Sequence, residues 1–325
     1  MQIIIQLALG IVGILLLYYG ADYLVKGSVR IAEALGIPSI VIGLTLVAFA
    51  TSAPELVVSI SASLKGNGDI SLGNVIGSNI SNIGLILGIS ALLAPMNIHR
   101  NLIRFDGPVM FIATALLIVF SYFWHGISRI HAAILLAFFI FYMWKTVYGA
   151  LKNRGNADEA SNAEMAEMPE KPISIYLAPV FAIGGILALV GGAKLFLDAS
   201  IFFAKLCHIS DAVIGLTIVA VGTSLPELAT SVVAALKGEK DIAVGNVVGS
   251  NIFNVLSILG IAPLIRPIAA GGIQLLDIVM LAVFTMLISI IMLTCKTVAR
   301  WHGGVLLLTY ISYIAVLVIR SLQGA

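Results

Sequence analysis

The chain has 325 residues, of which 60% are hydrophobic and only 10% charged, with a mean hydropathy of +1.09. A soluble domain carries about 25% charged residues, so 18 Lys+Arg and 16 Asp+Glu are too few to cover a water-soluble globule of this length. The composition defines a polytopic membrane protein whose first partner is the lipid bilayer. A net charge of +2 shows no basic footprint for nucleic acid, and no protein partner is evident. Cys207 and Cys295 cannot build a disulfide framework and read as ordinary apolar core residues.

Apolar runs between the charge clusters are long enough for helices that span hydrocarbon, which takes about 20 residues. In chain order the predicted spans are 3–31, 38–64, 70–93, 105–123, 127–148, 173–203, 210–236, 242–266, 273–294 and 299–321. The first lacks a basic leader and a small-residue cleavage site, so it reads as a retained span rather than a signal peptide. Residues 152–171 hold five acids and three bases and read as a solvated connector. They divide the chain into a first five-helix unit, 1–151, and a second, 172–325.

Basic residues give the expected orientation. With the N-terminus outside, the cytoplasmic connections hold twelve Lys and Arg and the other side five. Both termini are then extracellular and the linker cytoplasmic, in a multi-pass plasma membrane protein. Lys194 is left inside a span.

Residues 36–88 and 208–260 align without a gap at an offset of 172, with 31 of 53 positions identical. That is a duplication. Five spans per unit is an odd number, so the copies cross the bilayer in opposite senses. Inverted repeats are the architecture of secondary transporters, with the binding site where the repeats meet. The expected fold is all-α, ten transmembrane helices as two inverted repeats of five.

Each repeat carries one acid in apolar sequence: Glu55 in TSAPE and Glu227 in TSLPE. An ionised group at that depth costs several kcal/mol and marks ion pathways. Pro54 and Pro226 remove a helix N–H, which should free carbonyls near Ala50 and Gly222 and unwind the helix beside the acid. Thr51, Ser52, Thr223 and Ser224 add hydroxyls in the same turn.

The next span of each repeat reads GNVIGSNISN and GNVVGSNIFN. There Ser78 and Asn82, and likewise Ser250 and Asn254, are four apart on one face. Asn79 and Asn251 either join that face or hold the helices together. Gly73, Gly77, Gly84 and Gly88 form a stripe expected to allow close helix packing. The resulting ligand set is all oxygen. This suits hard cations such as Ca²⁺, whereas transition metals favour His or Cys. Two carboxylates balance one Ca²⁺ or bind Na⁺ in its place.

With these motifs the chain resembles the calcium/cation antiporter superfamily, and within it the prokaryotic sodium/calcium exchangers. The matching segments are GLTLVAFATSAPE with GNVIGSNISN and GLTIVAVGTSLPE with GNVVGSNIFN, and the likeness covers essentially the whole chain. It implies Na⁺ and Ca²⁺ as substrates, no cofactor and no enzymatic activity. Glu55 and Glu227 would be the central calcium ligands, joined by Thr51 and Thr223. The sodium sites would use those four residues with Ser52, Ser78, Asn82, Ser224, Ser250 and Asn254, and with the carbonyls of Ala48 and Ala220. The long first and sixth spans would slide against the rest.

Two departures stand out. Ala50 replaces the usual Gly, and Asn254 replaces the Asp of potassium-dependent relatives, which argues against potassium co-transport. The SxPE context of each acid, in place of the GNxxE of proton-coupled relatives, favours sodium. With two formal negative charges, one Ca²⁺ leaves the site neutral, and three Na⁺, the stoichiometry the resemblance implies, leave it at +1. Exchange would then be electrogenic. The alternatives are a Ca²⁺/H⁺ antiporter, a passive channel, and an intramembrane enzyme, for which no HExxH, Ser–His, Cys–His or phosphate-loop pattern is present.

Overall fold

The computed structural model describes residues 2–152, 173–207, 220–269 and 271–323. The expected linker beyond Lys152 and the first part of the expected seventh span, 210–219, lie outside the described residues. Helix α1 is Gln2–Leu35. A bent pair follows, α2 (Ser39–Thr51) and α3 (Ala53–Leu64), joined at 45°. Next come α4 (Gly68–Leu93), α5 (Leu102–Phe123) and α6 (Arg129–Lys152). The second half has α7 (Ala178–Leu206), the single turn α8 (Ala220–Thr223) and α9 (Leu225–Leu236). It closes with α10 (Lys240–Ile265), α11 (Leu275–Thr294) and α12 (Arg300–Gln323). Among the described residues eight helices are long and apolar enough to cross a membrane, and the bent pair makes a ninth. Every predicted span has a helical counterpart there, although the seventh is described only from Ala220 onward.

Short strands tie the two halves together. β1 (Met96–Asn97) pairs antiparallel with β4 (Thr297–Val298), and β2 (Gly126–Ile127) with β3 (Ile268–Ala269). Since β1 and β2 flank α5, the two ribbons sit at opposite ends of that helix. Each joins one half of the chain to the other. A tyrosine-bound carboxylate also recurs in each half, buried at Asp106 and half-buried at Asp277. Tyr142 Oη donates to Asp106 (3.1 Å) and Tyr313 Oη to Asp277 (2.8 Å), at an offset of 171.

Helices α1 and α7 run antiparallel in backbone contact. A Cβ on Gly20 would lie 2.9 Å from the Gly185 carbonyl oxygen, and one on Gly185 would lie 2.5 Å from Leu24 N. Small residues therefore set this interface, as in membrane helix pairs generally. The predicted glycine stripe behaves that way only in part. Gly84 abuts Tyr310 and Phe284 and Gly88 abuts the Gly303 carbonyl, whereas Gly77 has nothing within 4 Å. The stripe follows α4 past the point where α12 reaches it, so only its far half packs.

Helices α3 and α9 end alike, on Gly66 (φ 80°) and Gly238 (φ 85°). In each, paired N–H bonds reach back to the last turn: Gly66 to Ser63 and Asn67 to Ala62, Gly238 to Ala235 and Glu239 to Ala234. This Schellman arrangement needs a left-handed residue, which glycine adopts without a Cβ clash. Lys194 is exposed on α7 rather than paired in the interior. Cys207 is exposed at the α7 terminus instead of buried, because the helix ends there, and Cys295 is half-buried; both are free.

Candidate functional site

The two acids meet at the breaks in the bent helices. Ser52, with φ −81° and ψ 2°, separates α2 from α3, and Ser224, with φ −88° and ψ 9°, separates α8 from α9. Pro54 and Pro226 follow two residues on, so the break falls where proline withholds an N–H. Each acid then stands in the first turn of the new helix, where the helix dipole favours negative charge. The unwinding is narrower than the sequence suggests. Ala48 O still accepts Ser52 N–H (3.0 Å), and Thr51 Oγ1 also points at it (3.4 Å).

The hydroxyls cross between the halves. Ser52 Oγ donates to Glu227 Oε1 (3.1 Å) and Ser224 Oγ to Glu55 Oε1 (3.3 Å). Both glutamates are buried, yet Oε2 of each has no hydrogen-bond partner. Neither carboxylate pairs with a basic side chain among the described residues. Buried carboxylate oxygens left without a donor suit a cation, which supplies the compensation that burial demands.

Around them, Thr51 Oγ1 donates to Asn246 Oδ1 (3.0 Å) and lies 3.5 Å from Ser250 Oγ. Ser78 Oγ, both amide atoms of Asn82 and the Oδ1 of Asn254 are buried and unpartnered. Asn79 and Asn251 hold the helices together. Asn79 Nδ2 donates to the Asn251 carbonyl (3.3 Å), and Asn254 Nδ2 donates to Asn79 Oδ1 (3.1 Å). The structure thus links Ser52, Glu227, Asn246, Thr51 and Ser250 in one hydrogen-bonded group and Ser224 with Glu55 in another, while Asn254 is bonded to Asn79 and Ser78 and Asn82 are buried on α4. Thr223 is half-buried in α8 beside Ser224, and Ala220 opens that turn.

Two residues escaped the sequence reading. Asn74 Nδ2 donates to the Glu55 carbonyl (3.2 Å) and to Ser59 Oγ (3.0 Å). Asn246 Nδ2 does the same to the Glu227 carbonyl (3.4 Å) and Ser231 Oγ (2.9 Å). Each fastens the helix that carries the acid to the helix that carries the amides. Their signal was present: both sit in the repeated GNV triplet and are identical across the halves. Asn82 and Asn254 also open π-helical turns, Asn82–Leu87 and Asn254–Ile258, a local widening that often accompanies functional sites.

An integral membrane protein with two crossed, buried carboxylates in an all-oxygen setting belongs to the class of cation carriers. Comparison with known proteins gives the family. The model for "sodium/calcium exchanger protein" matches residues 5–148 and 177–319. The sodium/calcium exchanger MaX1 of Methanosarcina acetivorans is 37% identical over 339 residues, covering 94% of this chain and 97% of the relative. The putative antiporter CaxA of Alkalimonas amylolytica is 36% identical over 307 residues, covering 93% and 95%. A solved structure of the sodium-calcium exchanger NCX_Mj superimposes with a TM-score of 0.82 at 34% identity, over 96% of this chain and 98% of that one. The chain belongs to the sodium/calcium exchanger family, within the calcium/cation antiporters. It is a transporter and not an enzyme.

Proposed function

We propose that the chain exchanges Na⁺ for Ca²⁺ across the membrane by alternating access, through ten spans arranged as two inverted repeats, 1–151 and 172–325. The observation that carries this reading is the crossed pair Ser52–Glu227 and Ser224–Glu55, with the second oxygen of each acid buried and unpartnered. Ca²⁺ would take Glu55, Glu227, Thr51 and Thr223. Na⁺ would use these with Ser52, Ser224, Ser78, Ser250, Asn82, Asn254 and the carbonyls of Ala48 and Ala220. Both substrates need the same two carboxylates, so occupancy by one excludes the other, which is the requirement for exchange.

Charge arithmetic makes the cycle electrogenic. One Ca²⁺ neutralises the two acids, whereas three Na⁺ leave a net +1, and a charge crossing the membrane potential responds to it by about 2.3 kcal/mol per 100 mV. Asn at both positions 82 and 254 leaves no third carboxylate, which supports potassium independence. The termini would be extracellular and the linker 152–171 cytoplasmic, in keeping with the distribution of basic residues.

Uptake of labelled calcium into reconstituted vesicles tests the reading. An outward sodium gradient should drive uptake, a pH gradient should not, and a clamped potassium-diffusion potential should change the rate. Glu55→Ala and Glu227→Ala should each reduce uptake to background. Retained transport in both variants would remove the central claim, and uptake driven only by the pH gradient would make the protein a Ca²⁺/H⁺ antiporter.

A further inference from the structure

Among the described residues, a charge contact joins the α1–α7 pair to the end of α9. On α1, Asp22 is 7% exposed. One of its oxygens accepts from Lys237 Nζ, at the end of α9, and the other lies 3.3 Å from Lys26 Nζ. Helix α1 packs along α9, whereas α7 makes no comparable contact with α3 among the described residues. The two halves therefore treat this pair of helices unequally.

The repeat explains the inequality. Extended to α1, the offset of 172 matches Gly20, Ala21 and Ser28 with Gly192, Ala193 and Ser200. In the same register Asp22 falls on Lys194, Lys26 on Asp198, and Lys65 on Lys237. The acid and base of α1 have changed places in α7, while the lysine they face is the same in both halves. Where one end sets an acid against Lys237, the equivalent meeting at the other end sets Lys194 against Lys65. Both of those lysines are exposed. Asp198 lies a helical turn, about 5.4 Å, further along and is out of register for the role that Asp22 fills.

We propose that Asp22 and Lys237 form a one-sided electrostatic latch, with Lys194 and Lys65 as its repelling counterpart, so that the ion-free carrier rests closed at the Lys237 end and open at the Lys65 end. The inference rests on the alternating-access reading above, and in the proposed orientation the latched end is cytoplasmic. Sliding α1–α7 to close the other end parts a buried carboxylate from a cation and brings two cations together. Both changes oppose that movement. The latch acts on the balance between access states and touches no ion.

Hydrogen–deuterium exchange of the protein in lipid nanodiscs, without ion gradients, reads the two ends directly through the hairpins at 64–69 and 236–241. Asp22→Asn should speed exchange at 236–241 by roughly fivefold and slow it at 64–69. Lys194→Asp, a change at an exposed position that should leave folding intact, should give the same pair of shifts by creating the missing attraction to Lys65. Lys237→Gln should reproduce the Asp22→Asn pattern, since it removes the same contact while leaving Lys26 beside Asp22. Unchanged exchange at both hairpins in Lys194→Asp, or a Lys237→Gln pattern equal to that of the parent, would overturn the latch. No transport is measured, so the outcomes separate. Failure of sodium-driven uptake with these shifts intact counts against the exchange reading, and the converse counts against the latch alone.

Discussion

Helices α4 and α10 are built on opposite rules from α1 and α7. In the spanning windows of α4 and α10, 78% and 83% of residues are buried, against 17% and 28% for α1 and α7, yet α4 and α10 are the less apolar pair. In water the hydrophobic effect buries apolar residues. In lipid it exerts no such preference between helices, and the polar positions go inside because only there can they find partners. The inner pair consequently carries Asn74, Ser78, Asn246 and Asn254, and the outer pair presents Ile11, Leu15, Ile183 and Leu187 to the bilayer. Apolarity marks contact with lipid here; polarity marks the working interior.

The sharpest test of this contrast, short of removing the acids themselves, is Asn246→Ala. Asn246 is fully buried and serves Thr51, Ser231 and the Glu227 carbonyl. Each partner left unsatisfied costs about 1–3 kcal/mol. A fall of several degrees in thermal midpoint and a loss of at least roughly tenfold in sodium-driven uptake are expected. Asn74→Ala should do the same more mildly, since Asn74 is only half-buried and water can take its place. Equal effects in the two variants would show that burial is not what makes the inner helices costly to alter.

A smaller effect is expected at the rim. Glu239 lies in the turn between α9 and α10, outside the spans, where burial first, then Asp241, then Glu33 push its carboxyl up to about 7. An acid whose pKa is raised on folding holds its proton more tightly in the folded state. Its contribution is therefore complete below about 4.5, the ordinary value, and is lost as pH rises through 7. The thermal midpoint in detergent should decline across that window, and Glu239→Gln should flatten the decline. Parallel curves for the parent and the variant would exclude Glu239 as the source. Smallest of all should be Ile183→Ala on the lipid-facing side of α7, where exposure is 58%. A stability change within about 0.5 kcal/mol is expected, and a larger one would mean that α7 has a packing partner on that side.

Much of this was legible beforehand, for physical reasons. Spans are readable because the bilayer imposes one length and one composition on each. Glu55 and Glu227 were readable because a charge in such a run is expensive, and their equivalence followed from the repeat. What was not readable depends on contacts between distant segments. The π-helical turns at Asn82 and Asn254 carry no residue pattern of their own, and Asn74 looked like one more small polar residue until its partners across the helix pair were known. The Asp106–Tyr142 and Asp277–Tyr313 ties were hidden because their members lie 36 residues apart. Proline correctly marked the helix breaks, which the structure places at Ser52 and Ser224, but the hydroxyl bond that each of these serines makes to the opposite acid joins segments far apart in the chain.

Those crossed bonds constrain what a smaller molecule of this kind could be. Since each glutamate is held by the serine of the other half, one half alone completes neither. A chain carrying a single copy of the repeat could assemble the crossed pair only by meeting a second copy of itself, whereas in the joined chain the two copies are free to differ, as Asp22 and Lys194 do at equivalent positions.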